Sequence, residues 1–321
     1  MQFDIFIIDY NTNQSVKIAR SSSLRALLRV GKIQKIAQPL DAVLLQHCGV
    51  HKQHDWPLGA IDALALSLEP NNEASGARFW RAVPVSLSLL RDSLALEQKV
   101  ALTAAEISDL TVLFCQFFAE DGLRFSENAH GGWLVEHQKN WVLETHHIQH
   151  VLGRNVAQFQ ASGKDANKMR ALQNQLQMLL HEHPINQARE AAGLPICNSL
   201  WLYGGGKLPV QLSSAVDYFV SENNLVEPLA TISGKPIFSM QQLTKQLESD
   251  PENQHTKTVV VLEGDAEIDQ LDGILKKIKL NKIKQLNIHL SINGETYFLR
   301  YQPNDAWKFW RRTKPFEAYF I

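Results

Sequence analysis

From Thr258 to Leu262 the chain reads Thr-Val-Val-Val-Leu, with no charge and no turn former. A short continuous apolar run of this kind is what a strand shows when both faces of its sheet are covered. Asp265 to Lys279 follows with helical spacing, placing Ile268, Leu271, Leu275 and Ile278 on one side. Its last turn carries Lys276, Lys277 and Lys279, which complement the negative end of a helix dipole. Leu286, Ile288, Leu290 and Ile292 then alternate strictly, and Asn293-Gly294 signals a hairpin. Strand, helix and strand in this order commit the chain to the α/β class: a mixed or mostly parallel sheet with helices on both faces.

The rest of the chain supplies elements for that sheet. Phe3 to Tyr10 reads as a buried strand, and Ser21 to Ser23 can cap a helix through about Ile36. Ala42 to Leu45 is a second apolar stretch, and Pro70 to Gly76 is the best linker candidate. That linker sets the expected division: an N-terminal lobe over 1–72 and an α/β domain over 73–321. Phe79 to Leu90 alternates as a strand, and Thr103-Ala104-Ala105-Glu106 is a capping box. Ile107, Leu110, Phe114, Phe117 and Phe118 form the stripe of the helix it starts, which Gly122 ends. Arg124 to Trp141 suggests strands around Gly131-Gly132. A second long helix is expected over 165–182, and Pro184 opens a short one. Ile196 to Tyr203 reads as a strand feeding the run Gly204-Gly205-Gly206. The closing Trp307 to Arg312 is expected to form a terminal helix, with Trp307, Phe309 and Trp310 packed inward.

Composition narrows the function classes. Lys and Arg number 32 against 33 Asp and Glu, giving a net charge of −1, so no basic surface dominates the chain. No stretch offers the roughly 20 apolar residues of a membrane span. Met1-Gln2-Phe3-Asp4 lacks the basic start of a secretory leader. The three cysteines, Cys48, Cys115 and Cys197, are widely spaced and form no C-x-x-C. A reducing, cytoplasmic setting is therefore expected, with neither nucleic acid nor membrane as partner.

The densest constellation lies between His181 and Gly206. A strand ending in glycines brings backbone amides close to an anion, and Asn186, Arg189 and Asn198 would add donors to a phosphate or carboxylate. Close strand packing is the competing reading of the same glycines. The run is not a P-loop, because Lys207-Leu208-Pro209 follows it. His146, His147 and His150 form H-H-x-x-H, and His181 and His183 form H-x-H, without an acidic partner at a recognised metal spacing. Glu263, Asp265 and Asp269 sit after an apolar strand, where α/β enzymes place catalytic groups and where helices also take their caps. No G-x-S-x-G flanks Ser199.

The stretch Asn174 to Leu180, with His183-Pro184-Ile185-Asn186, Ala188-Arg189-Glu190 and Asn198-Ser199-Leu200-Trp201-Leu202-Tyr203-Gly204-Gly205-Gly206, resembles a bacterial family. That family is the regulatory proteins of the pathogenicity-factor (Rpf, type E) group, also labelled cofactor-independent phosphoglycerate-mutase-like. Arg81 to Leu87 and Phe309-Trp310-Arg311-Arg312 look like the same family. The resemblance implies an alkaline-phosphatase-like substructure and adds Asn174, His183 and Trp201 to the ligand-binding residues. The mutases it is similar to use a Ser or Thr nucleophile and two metal ions held by Asp and His. Here Asp9 is followed by neither Gly nor a nearby Ser, and Val83 and Ser86 stand where relatives often carry Asp and His.

The expected function is a non-catalytic, regulatory protein that binds a small anionic or phosphorylated ligand and needs no cofactor. One alternative is a phosphoglycerate mutase-like phosphomutase or phosphatase, which would require a divalent metal. Another is an interaction scaffold or homodimer that uses Trp307 and Trp310.

Overall fold

A computed structural model describes residues 1–8, 18–68, 78–91, 93–128, 131–139, 141–207, 212, 214–221, 226–249, 256–263, 269–278, 283–292, 294–308 and 310–320. In chain order the elements used below are β1 (Gln2–Ile8), α1 (Ser22–Val30), β2 (Lys32–Ile36), α2 (Leu40–His47) and α3 (Leu58–Ala65). Next come β3 (Arg78–Leu89), β4 (Leu94–Lys99), α4 (Ala104–Phe117), β5 (Leu123–Glu127), β6 (Trp133–His137), α5 (Ile148–Val151), α6 (Ala166–His181), α7 (Pro184–Ala191) and β7 (Ser199–Gly206). The chain continues through β8 (Tyr218–Val220), α8 (Val226–Ser233), β9 (Ile237–Phe238), α9 (Met240–Ser249), β10 (Lys257–Glu263), α10 (Leu271–Lys277), β11 (Gln285–Ile292) and β12 (Glu295–Tyr301).

Two compact units result: Met1–Val50 together with Pro209–Ile321, and His51–Leu208. This corrects the expected lobe over 1–72. The first strand is not at the edge of a separate lobe but pairs in parallel with both β10 and β11. The C-terminal third therefore completes the sheet that β1 begins. The expected linker near Pro70 lies outside the described residues.

The first unit has a seven-stranded sheet in the order β2-β12-β11-β1-β10-β8-β9. Pairing is parallel from β11 through β9, while β12 runs antiparallel to both β11 and β2. The sheet is thus mixed, as the sequence implies. Phe3, Ile5 and Ile7 of β1 face a core with Leu24, Leu27 and Leu28 of α1 and Leu271, Ile274 and Leu275 of α10. Residues 4, 6 and 8 point the other way, because side chains alternate along a strand. His47 of α2 meets Asp4 there, so helices cover both faces.

The capped helix at Ser21 ends at Val30 rather than Ile36, and β2 follows. Gly31 is the reason: a Cβ there would lie 2.6 Å from Leu299 Cδ1 and 2.9 Å from the Arg300 carbonyl oxygen. The backbone thus approaches β12 more closely than any other residue allows, and the chain turns into a strand beside it.

The second unit is antiparallel. β3 pairs with β6 over its first half, with β4 over its second half, and with β7 along its other edge. β5 pairs with β6 on the side away from β3. Trp80, Ala82, Trp133, Val135, Leu200 and Leu202 face α4 and α6. Phe79 and Leu134 face Ala60 and Ala63 of α3. On that second face Arg81 forks onto Asp62, with Nε to Oδ2 at 2.5 Å and Nη2 to Oδ1 at 2.7 Å, both residues buried. The capping box at Thr103 and Glu106 forms as expected. No helix among the described residues is long and apolar enough to cross a membrane.

Candidate functional site

The sequence-derived ligand residues lie in the second unit, and the fold uses most of their donors. Asn186 Nδ2 donates to the carbonyls of Leu180 and Cys197, while its Oδ1 accepts from Cys197 N. Arg189 donates to Pro195 O, to Ala101 O and to both Glu106 oxygens, at 2.7 to 3.1 Å. Asn198 brackets Leu87, accepting from its N–H and donating to its carbonyl, which staples β7 to β3. His183 caps α7 by accepting from Ile185 N, Trp201 donates to His146 O, and Asn174 is exposed on α6.

The three glycines form the end of β7 rather than a loop after it, and all three are buried. A Cβ on Gly205 would sit 2.0 Å from Trp80 Nε1, and one on Gly206 would sit 2.7 Å from Pro57 Cβ. Gly204 has φ +76°, and its Cβ would meet Leu58 Cβ at 2.8 Å. Glycine is required here so that β7 can press against α3 and Trp80. The Gly204 amide donates to Asp55 Oδ2 and Thr145 Oγ1, each at 3.2 Å. Burial pushes the Asp55 carboxyl up, against the hydrogen bonds from Thr145, Trp56 N and Gly204 N. The glycine run therefore serves as a packing surface with one buried acid beneath it.

The first unit holds a polar cluster that no sequence motif marks. Asp4 lies in mid-strand on β1 and is fully buried. Asn287 Nδ2 donates to its Oδ1 at 2.6 Å, and Gln2 Nε2 donates to its Oδ2 at 3.1 Å. His47 Nε2 lies 3.4 Å from Oδ2, and His289 Nε2 lies 3.8 Å from Oδ1. Burial opposes ionisation of Asp4, but the nearby imidazoles of His289 and His47 and the Asn287 amide outweigh it and hold the carboxyl far below the usual carboxylate range. His289 is stacked on Phe6 with centroids 4.2 Å apart. Neither of its ring nitrogens has a hydrogen-bond partner. Burial lowers its affinity for a proton, although Asp4 works in the other direction. His47 remains partly exposed, so the buried pair reaches water through one imidazole.

Chemically this is an ionised carboxylate flanked by one neutral buried imidazole and one that faces solvent. The alternation of a single Asp in Phe-Asp-Ile-Phe was the available signal: an acid in mid-strand demands partners. Cys48 beside it is an inert thiol, pushed up to about 12 by burial and by the Asp4 charge. The histidines of H-H-x-x-H have local roles: His147 caps α5 and lies edge-on to Tyr203. Glu263 closes β10, Asp269 lies in an exposed turn, and Asp265 is outside the described residues. Among the described residues no group of three or more His, Cys, Asp or Glu could hold a metal ion.

No family model matches the chain. Over 119 residues it is 25% identical to the probable 2,3-bisphosphoglycerate-independent phosphoglycerate mutase of Geobacter sulfurreducens. The match takes in 35% of this chain and 30% of that relative's length. The chain thus spans less than a third of the length of the curated relative it matches. Among solved structures, the PH0037 protein from Pyrococcus horikoshii superposes with a TM-score of 0.45 and 14% identity, over 94% of this chain and 87% of its own. The cofactor-independent phosphoglycerate mutase from Thermoplasma acidophilum superposes with a TM-score of 0.39 and 15% identity, over 94% and 89%.

Proposed function

We propose that this chain binds a small phosphorylated metabolite of the phosphoglycerate class, through its first unit, as a regulatory protein. The observation that carries this reading is the stretch of sequence shared with a probable phosphoglycerate mutase. The architecture of the first unit agrees with it. β11, β1 and β10 lie side by side and parallel, and β1 and β10 end level, Ile8 opposite Glu263. Open sheets of this kind take ligands outside the carboxyl ends of their strands.

The second reading is phosphoryl transfer in the manner of the mutases. It needs clustered carboxylates and imidazoles around metal ions. Among the described residues no group of three or more His, Cys, Asp or Glu is gathered in that way.

Calorimetric titration of the full chain with 3-phosphoglycerate, inorganic phosphate and glycerate tests the proposal. Saturable binding of the phosphorylated compound, with none for glycerate, is the expected result. A parallel assay for 2-phosphoglycerate in the presence of Mn²⁺ separates the readings: product formation replaces regulation by catalysis. Absence of both binding and product removes the phosphoglycerate class altogether.

A further inference from the structure

The aromatic and basic segment near the C-terminus is not the inward-packed helix expected from its sequence. A 3₁₀ turn covers Pro303–Lys308, and Trp307 and Trp310 are 74% and 68% exposed. Phe309 lies outside the described residues. Neither indole belongs to the buried core of the first unit, which takes in Tyr297, Tyr301 and Phe316 instead. Between Trp307 and Phe316 the sequence holds Lys308, Arg311, Arg312 and Lys314 and no acid. Arg311, Arg312 and Lys314 are exposed, while Lys308 pairs with Asp305.

The segment is held at both ends. Gln302 N donates to Asp305 Oδ2 at 2.9 Å, and Arg311 N donates to Lys308 O at 3.1 Å. On the other side Lys314 N donates to the Tyr319 hydroxyl at 3.0 Å, and Phe316 is buried. The fold thus presents two indoles and three cations from a braced turn.

We infer that this turn docks the protein on an anionic phospholipid surface. Indole rings favour the boundary between headgroup and acyl chain, where one end is apolar and the other wet. Guanidinium groups match phosphate oxygens in a fork. Charge complementarity therefore selects an anionic partner, and exposed tryptophans select one with an apolar layer beneath its charge. A nucleic acid would call for a broad basic footprint, yet the chain's net charge is −1 and its pI about 6.9. A bilayer asks only for a local cluster with two kinds of signal, apolar insertion and charge. This contact is peripheral and independent of the phosphoglycerate reading.

Sedimentation of the full chain with vesicles tests the inference. One set is phosphatidylcholine alone and the other contains about one third phosphatidylglycerol, both at low salt. The chain is expected to partition onto the anionic vesicles and to be released by salt. Each basic side chain near the surface contributes roughly fivefold, so R311Q/R312Q/K314Q together should weaken binding on the order of a hundredfold. W307A/W310A should also weaken it, and its thermal midpoint should match the parent because both rings are exposed. Equal partition onto both vesicle types, or none onto either, overturns the inference. So does binding that survives both variants, tighter binding to a single-stranded oligonucleotide at the same salt, or a dimer that the tryptophan changes dissolve in the absence of vesicle binding.

Discussion

Gly205 shows how a single residue can invite two meanings. Read along the chain, three glycines after an apolar strand suggest a cradle for an anion. In the fold the missing Cβ leaves room for the Trp80 indole, 2.0 Å from where that carbon would be. Gly205→Ala is therefore expected to destabilise the protein by at least about 2 kcal/mol in denaturant melts, an overpacking effect without relief from a flexible partner. Arg189 is likewise bound into the structure, so Arg189→Ala should cost roughly 3 kcal/mol by stranding Glu106 and two carbonyls. If the variant instead melts like its parent, the arginine is free to serve a ligand. Neither role could be seen in sequence, since Trp80 and Glu106 are far from both residues along the chain. Asp4 and His289 both contribute to the pH dependence of stability. His289 is kept neutral when folded, so its contribution is complete above its unfolded pKa of about 6.5 and is lost as pH falls below that. Asp4 acts in the same direction at lower pH, its contribution being present above about 3.9 and lost on further acidification. His289→Phe, which preserves the stack on Phe6, should flatten the stability loss between about pH 7 and pH 5. An unchanged slope across that range would assign the acid sensitivity elsewhere.

Elements were legible wherever their signals were local. The capping box at Thr103 and Glu106 and the stripe of Met169, Leu172, Leu176 and Leu180 needed nothing beyond a few turns of sequence, and both helices form where expected. Ser21 was legible as a cap, but its full role was not. It accepts from Leu24 N at 3.1 Å and also donates to Asp272, while Asp272 accepts from Ser22 and Ser23 N. Those donors overcome burial and hold the Asp272 carboxyl down at about 2. Ser21→Ala is expected to lower stability by about 1 kcal/mol or slightly more, because it removes a cap and a link between α1 and α10 together. A change within a few tenths of a kcal/mol would show that Ser22 alone sustains the link. The ends of elements were less readable. α1 stops at Gly31 because of Leu299, a residue that is its neighbour only in three dimensions.

At the scale of the molecule, class was readable and division was not. The run at Thr258 and the alternation from Leu286 to Ile292 required an α/β sheet. Nothing near Phe3 revealed that its strand lies between β10 and β11, because parallel pairing has no local turn to announce it. A fragment that ends at residue 72 is thus expected to be unfolded by circular dichroism, since β1 would lose both partners. The fragment 51–208 should melt cooperatively on its own, as a compact unit with its own core. The claim that a phosphorylated metabolite is bound by the first unit, while β7 acts as scaffold, is tested most directly by amide hydrogen exchange with and without 3-phosphoglycerate. Added protection in β1, β10 and β11 with β7 unchanged is the predicted result. Protection concentrated at residues 199–206, or none anywhere, would contradict it.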